Sequence, residues 1–106
     1  NKMIYELRIY RFHKVKDSKK KFLAGFSKAR RFMKKYGVTF VAAWENPDRD
    51  DEFIWIRSFP NAKARDKSVE AYYGSPEWAK IVDEIRPLIK RREVRVMKSL
   101  PYSTLK

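Results

Sequence analysis

Residues 3–12 alternate between two sets of side chains at the two-residue period of a β-strand. One set consists of Ile4, Glu6, Arg8, Tyr10 and Phe12, and the other consists of Tyr5, Leu7, Ile9 and Arg11. The second set is apolar at its centre, whereas the first carries a carboxylate, a guanidinium and a phenol in succession. We therefore predict a first strand whose two faces meet different surroundings.

Residues 17–36 carry apolar side chains at intervals of three and four positions, the spacing of one face of an amphipathic helix. Lysine and arginine occupy most of the other positions. Asp17 or Ser18 is suited to cap the first turn, and Gly37 is suited to end the helix in the left-handed conformation. This pattern predicts one long basic helix.

Two stretches rich in β-branched and aromatic residues, 38–45 and 52–59, flank six residues of turn-forming type. They predict a hairpin with a long acidic loop over residues 46–51. Residues 93–98 alternate again and predict a fourth strand.

The chain between the hairpin and the last strand has strong helical signals. A helix capped by Asn61 is expected to run to residue 73. Ser75 and Pro76, followed by an acidic residue, start another helical stretch, which Pro87 should kink or end. We predict one α+β domain over residues 1–98, a four-stranded antiparallel sheet with helices on one side, and a tail over residues 99–106.

Alternation sorts the strand residues into two faces of this sheet. The aliphatic set is predicted to be the core beneath the helices: Leu7, Ile9, Val41, Ala43, Ile54, Ile56, Val94 and Val96. The other set is bulky and polar: Glu6, Arg8, Tyr10, Phe40, Trp44, Phe53, Trp55, Arg57, Arg95 and Met97. Its aromatic area is larger than a monomer leaves in water. We therefore expect a second copy of the chain to cover it in a two-fold homodimer.

The composition narrows the chemistry and the partners. The 106 residues include no cysteine, which excludes disulfides, thiol nucleophiles and thiolate metal ligands. Lysine and arginine number 26 against 13 acidic residues, a net charge of +13. Such charge favours weak, non-specific nucleic-acid binding, and it is equally typical of thermophile proteins. Without a bilayer-length apolar stretch or a signal-peptide pattern, we expect no membrane span and a cytoplasmic location.

Sites for a metal or a cofactor are not indicated by the sequence. His13 is the only histidine, so a transition-metal site has no second imidazole or thiolate to use. The acidic residues near the hairpin lack the spacing and glycine of a calcium loop. Asn1 and Lys2 before Met3 are interpreted as a remnant, either of processing or of cloning. No cofactor is expected.

Four segments resemble the NIPSNAP family. They are residues 4–10 (IYELRIY), residues 36–41 (YGVTFV), Trp44 before the DRDDEF of residues 48–53, and the YGSPEW of residues 73–78. The resemblance covers nearly the whole chain and implies ferredoxin-like βαββαβ subunits that pair sheet to sheet as a dimeric α/β barrel. The wider superfamily includes cofactor-free monooxygenases acting on aromatic compounds, haem-degrading enzymes and proteins without a known reaction. The family offers no agreed catalytic motif to transfer.

The first functional hypothesis is a small-ligand protein, acting as a cofactor-independent monooxygenase or isomerase in the barrel cavity. Tyr10 and Glu6 are the catalytic candidates, as a proton donor and as a base or orienting group. The candidate ligand-binding residues are the cations and indoles of the same predicted face: Arg8, Trp44, Trp55, Arg57 and Arg95. The ligand expected from these groups is aromatic or anionic.

Two alternatives stay open at this level. The order of elements is also that of the RNA-recognition motif, and the basic helix suits a polyanion. Against this alternative, Tyr5 lies on the wrong face, and the acidic Asp51 and Glu52 replace the basic-glycine-aromatic pattern of the motif's third strand. In the other alternative, Glu6 and the arginines pair only with one another, and the chain is a non-catalytic interaction module.

Overall fold

Strands and helices follow one another in the predicted order in the computed structural model, which describes residues 3–106. The remnant inferred for Asn1 and Lys2 lies outside the described residues. The elements are β1 (Ile4–Phe12), α1 (Ser18–Arg30), β2 (Thr39–Asn46), β3 (Arg49–Phe59), α2 (Ala62–Tyr73), α3 (Pro76–Ile85) and β4 (Ile89–Met97). The sheet is antiparallel with the strand order β2-β3-β1-β4, which confirms the ferredoxin-like βαββαβ fold.

Local capping signals place the two later helices. The Asn61 side chain accepts a hydrogen bond from the backbone N–H of Ala64 at 2.8 Å, and the Ser75 hydroxyl accepts one from Trp78 at 3.1 Å. Pro76 occupies the first turn of α3, as predicted. Gly25 lets α1 approach α3, because an added Cβ would lie 2.7 Å from Cγ1 of Ile85.

The basic helix is shorter than predicted, and its cap differs. α1 ends at Arg30, and a separate 3-10 turn, Lys34–Tyr36, leads to Gly37 in the left-handed conformation (φ 84°). Asp17 does not cap α1 through its side chain, because it adopts φ 59° instead of the extended conformation of a capping residue.

The hairpin and the last strand are longer than predicted. The expected acidic loop is mostly strand, since Asn46 pairs with Arg49 and only two residues form the turn. The Asn46 side chain tightens that turn by accepting the backbone N–H of Asp48 at 2.9 Å. Pro87 lies in a 3-10 turn, Arg86–Leu88, and β4 begins directly after it.

The sheet turns its bulky side toward the helices, opposite to the prediction. Phe22 and Phe26 of α1 contact the rings of Tyr10, Phe53 and Trp55. We call this side the covered face; on β1 and β3 it consists of Ile4, Glu6, Arg8, Tyr10, Phe12, Phe53, Trp55, Arg57 and Phe59, all buried. Alternation along a strand separates two sets of residues but does not determine which set is buried. Here the helices bury the bulky set, which has the larger apolar area.

The other side of the sheet, which we call the open face, carries the aliphatic set on β1 and β3. It consists there of Tyr5, Leu7, Ile9, Arg11, Glu52, Ile54, Ile56 and Ser58. Its four aliphatic members are only partly buried. The predicted core of small aliphatic residues is therefore wrong for these two strands.

The edge strands mix the predicted faces. A bulge in β2 makes Phe40 pair with Arg57 and Ala42 pair with Ile56, so Phe40 lies on the covered face while Ala42 and Trp44 lie on the open face.

In β4 the register decides the faces. Arg95 pairs with Leu7 on the open face, whereas Val94 pairs with Arg8 on the covered face. The prediction that Arg95 and Met97 share a face with Arg8 is therefore wrong, and Val94 and Val96 share that face instead.

The C-terminal residues fold back over one end of the open face. Leu100, Tyr102 and Leu105 line a cavity of about 420 Å³ together with Tyr5 and Ile56. Among the helices of residues 3–106, none is long and apolar enough to cross a membrane.

Candidate functional site

A buried charged cluster lies on the covered face where β1 and β3 run side by side. Glu6 and Arg57 are directly paired in the sheet register. Oε1 of Glu6 accepts a hydrogen bond from Nη1 of Arg8 at 3.0 Å and another from Nε of Arg57 at 2.7 Å. The three side chains are only 8%, 11% and 4% exposed, in that order. One carboxylate oxygen thus binds two buried guanidinium groups.

Two tyrosines extend this cluster. The Tyr10 hydroxyl accepts a hydrogen bond from Nε of Arg8 at 2.8 Å, and the Tyr73 hydroxyl accepts one from Nη1 of Arg57 at 3.0 Å. Because both phenol oxygens are acceptors in these bonds, their own protons remain for donation to another group. We refer to Glu6, Arg8, Tyr10, Arg57 and Tyr73 as the charged cluster.

Aromatic rings pack around the guanidinium group of Arg57. The guanidinium carbon Cζ of Arg57 lies 5.7 Å from the ring centroid of Trp55, 5.6 Å from that of Phe59 and 5.8 Å from that of Tyr73. These are cation–π distances, which favour a desolvated cation. The indole Nε1 of Trp55 is buried and has no hydrogen-bond partner within residues 3–106. Trp55 is paired with Arg8 in the register of β1 and β3.

The charged cluster has more positive than negative charge. Arg8 and Arg57 share Glu6, whose second oxygen, Oε2, is 3.9 Å from Nε of Arg65 at the periphery. Burial alone would lower the pKa of Arg8, but contacts with Tyr10, Tyr73 and Glu6 raise it above its ordinary value. Arg8 therefore stays charged, and one buried positive charge lacks a carboxylate within the cluster.

A contact joins the turn after α1 to the first turn of α3, four residues after Tyr73. Glu77, in the first turn of α3, accepts hydrogen bonds from Lys35 and from the Tyr36 hydroxyl, each at 2.6 Å. These bonds hold the pKa of Glu77 at about 2, below its ordinary value of 4.5. Tyr73 and Trp78 pack edge to face across the short turn between α2 and α3, with centroids 5.0 Å apart.

The structure brings together five of the seven predicted site residues. Glu6, Arg8, Tyr10, Trp55 and Arg57 meet on the covered face. Trp44 and Arg95 lie on the open face, since a bulge in β2 and the register of β4 separate them from the face of Arg8. Trp44 instead forms a wall of a surface cleft of about 720 Å³ beside the hairpin turn.

Tyr73 and Arg65, both on α2, were not predicted as site residues. The segment YGSPEW begins with Tyr73, so the resemblance already marked this tyrosine, but nothing local to the segment indicates that its hydroxyl reaches β3. Within residues 3–106, no group of three or more His, Asp or Glu side chains is placed to hold a metal ion.

The fold is closely similar to those of several solved structures. A NIPSNAP family protein of unknown function from Agrobacterium tumefaciens is 22% identical, with a TM-score of 0.87 over 99% of this chain and 95% of that one. An uncharacterised NIPSNAP domain protein from Burkholderia xenovorans is 13% identical, with a TM-score of 0.81 over 94% and 97%. SnoaB, a cofactor-independent oxygenase from Streptomyces nogalater, is 15% identical, with a TM-score of 0.72 over 99% and 98%.

At these identities the solved structures establish the fold alone. None of the curated proteins matches the sequence. The NIPSNAP family model matches residues 5–104, which include all the helices, all the strands except the first residue of β1, and most of the tail. The chain therefore belongs to the NIPSNAP family.

Proposed function

We propose that this protein binds a small aromatic or anionic ligand at the charged cluster and acts on it as a cofactor-independent oxygenase or isomerase. The observation that carries the proposal is the sharing of Glu6 Oε1 by the buried guanidinium groups of Arg8 and Arg57. A buried charge is costly unless it is paired. An anionic oxygen of a ligand supplies the missing partner.

The hydroxyl groups of the cluster suit a carbonyl or enolate oxygen. Tyr10 and Tyr73 accept hydrogen bonds from the arginines, so each can donate its own proton to a ligand oxygen. Donors aimed at an oxygen that gains negative charge stabilise an enolate more than the parent ketone. Oε2 of Glu6, which neither Arg8 nor Arg57 engages, is the base we assign for removing a proton from the adjacent carbon.

Both proposed activities share this enolate. In an isomerase the proton returns to a different carbon. In an oxygenase the enolate of a CH₂ ketone reduces O₂, and one oxygen atom becomes a new carbonyl oxygen on that carbon. The other oxygen atom leaves as water with the two hydrogens of the CH₂ group. The similarity of the fold to that of SnoaB supports this class without naming a substrate.

We also propose that the protein is a homodimer joined through its open face. Trp44 is 48% exposed there, and Leu7, Ile9, Ile54 and Ile56 are only partly buried. A stable interface buries about 800 Å² on each partner, and a second sheet is a self-complementary cover for such a surface. The sequence predicted a dimer joined through the bulky face, but the helices cover that face. The dimer that we propose uses the aliphatic side instead and leaves the charged cluster within each subunit.

Ligand binding is tested by calorimetric titration with naphthoate and with its neutral analogue naphthamide. Arg8→Lys keeps the charge but loses the planar donor fork, and it should weaken naphthoate binding about tenfold, one lost charged hydrogen bond. Arg95→Lys on the open face is the matched control and should leave binding unchanged. Equal naphthoate affinity in all three proteins would contradict the proposal.

Enolate formation is tested separately with β-tetralone in D₂O, by following loss of the benzylic proton signal in NMR spectra. The wild-type protein should speed the exchange above the buffer rate, whereas Tyr10→Phe should slow it by about tenfold or more, as for loss of one oxyanion donor. Exchange at the buffer rate with wild type, alongside intact naphthoate binding, would leave a binding protein and reject the catalytic part.

A second candidate function is loose polyanion binding by α1. Its exposed residues include Lys20, Lys21, Lys28 and Arg30 without an acidic residue in the helix. Binding of this kind depends on phosphates, so it should fall steeply with salt and show no sequence preference. Titration of a fluorescent RNA at two salt concentrations measures both properties, and salt-independent, sequence-selective binding would contradict this candidate.

A further inference from the structure

β4 has an exposed apolar strip on the covered side of the sheet. The strip consists of Val94, 38% exposed, and Val96, 56% exposed. Both belong to the same face as the buried residues of β1, because Val94 pairs with Arg8 and Val96 pairs with Glu6. The apolar strip therefore lies directly beside the charged cluster, one strand away.

The helices leave this strip exposed because they lie over the other strands. α1 places Phe22 and Phe26 on Tyr10, Phe53 and Trp55, which belong to β1 and β3. Within residues 3–106, β4 is an edge strand whose one neighbour in the sheet is β1. The covered face thus opens to solvent along one edge, where its exposed floor is apolar.

The β1 residues of the charged cluster lie beside this edge. Arg8, the β1 neighbour of Val94, keeps 11% of its side chain exposed. Arg92 continues the row on β4 opposite Tyr10 and is exposed. On the far side of Arg8, the buried indole N–H of Trp55 has no acceptor within residues 3–106. An acceptor placed over β4 beside Arg8 would pair with its positive charge.

We propose that β4 forms the entrance and the apolar floor of the ligand site, and that the ligand is an amphipathic aromatic anion. Its flat apolar body lies on Val94 and Val96, and its carboxylate or phenolate oxygen reaches Arg8. This inference rests on the proposed function and narrows the ligand to one class. Charge complementarity favours this occupant, since a purely apolar ligand would leave the positive charge of Arg8 beside the strip without a counterion.

The test uses Val96→Asp in the full chain, with naphthoate and naphthamide as probes in calorimetric titrations. Val96 is exposed on an edge strand, so the fold should tolerate the aspartate. The aspartate covers the strip with a negative charge and should weaken naphthoate binding at least about tenfold through repulsion and lost apolar contact. Arg95→Gln is the matched control, because it lowers the net charge equally one residue away on the opposite face. It should change affinity less than about twofold, as expected for an exposed charge.

The outcomes separate this inference from the proposed function. Loss of naphthoate affinity in Val96→Asp and Arg8→Lys, with Arg95→Gln intact and naphthamide binding weakly, supports both. Loss in Arg8→Lys alone keeps the anion site and overturns the entrance along β4. Equal losses in Val96→Asp and Arg95→Gln indicate a general charge effect and overturn it too. Dissociation of a dimer by Val96→Asp in light scattering would assign the strip to a second copy and likewise overturn the inference.

Discussion

The two faces of the sheet carry the same kind of ionic arrangement in opposite surroundings. On the covered face, Glu6 lies between Arg8 and Arg57, and all three side chains are nearly inaccessible. On the open face, Glu93 lies between Arg91 at 3.2 Å and Arg95 at 3.7 Å, and the two arginines are 70% and 62% exposed. Composition alone therefore does not mark a site. Water solvates and screens the charges of the exposed Arg–Glu–Arg arrangement, whereas the buried one needs a counterion for its excess positive charge.

The apolar residues of the two faces differ in a complementary way. The covered face combines its charges with large rings, which supply the buried area that holds helices on the sheet. The open face has small aliphatic side chains and one exposed indole, a surface suited to another sheet. Stability should therefore depend mainly on the covered face and association on the open face.

Truncation on each face is the strongest test of this division. Phe59 is fully buried, so Phe59→Ala should lower the free energy of unfolding by about 3–5 kcal/mol. Ile9→Ala, on the partly buried open face, should cost about 1 kcal/mol at protein concentrations low enough to keep the chain monomeric. Denaturant unfolding measures both values. Equal losses would mean that the two faces contribute alike.

The two ionic arrangements should respond unequally to the same substitution. Glu6→Gln leaves two buried arginines without a carboxylate and should cost about 3 kcal/mol, the lower end for a broken buried ion pair. Glu93→Gln removes an exposed partner and should cost less than about 1 kcal/mol. Chemical unfolding of both variants checks this difference, and a loss in Glu93→Gln as large as that in Glu6→Gln would contradict it.

Association is the effect expected from the open face. Ile54 is paired with Ile9 on one side and with Trp44 on the other. Ile54→Lys places a charge at the centre of the proposed interface and should turn a dimer into a monomer in light scattering, with a change in unfolding free energy below about 1 kcal/mol in the monomer. A charge that is desolvated in an interface is unfavourable, whereas the same charge in water is not. A monomeric wild type at micromolar concentration would reject the dimer.

The order of elements and most helix starts were predictable from the sequence because they depend on local signals. Asn61, Ser75 and Pro76 act through hydrogen bonds and backbone geometry within a few residues, and all three do what their types favour. The two sets of β1 residues were also separated correctly. Which set is covered was not predictable in this way, since that depends on the rings that α1 presents from 10 or more residues away.

The candidate site was predicted only in part, because some of its residues are placed by local alternation and others by pairing between distant segments. Glu6, Arg8 and Tyr10 share a face by alternation along one strand, which is local, and Trp55 and Arg57 do so along another. Trp44 and Arg95 were misplaced because a bulge in β2 and the register of β4 are set by pairing between distant segments. Tyr73 reaches Arg57 only through the packing of α2 on the sheet.

The smallest expected effect is a pH dependence outside both faces, at the contact of α3 with the turn after α1. Hydrogen bonds from Lys35 and Tyr36 hold the pKa of Glu77 at about 2, whereas its ordinary value is 4.5. The unfolded chain therefore takes up this proton more readily as the pH falls, and the stability that Glu77 contributes above pH 4.5 is lost toward pH 2.

Glu77→Gln should flatten the acid side of the stability profile measured by denaturant midpoints from neutral to acidic pH. Asp51, whose pKa Arg49 holds at about 2, titrates in the same range and keeps its share of the slope in the variant. A profile identical to that of wild type would show that the Glu77 contact forms without stabilising α3.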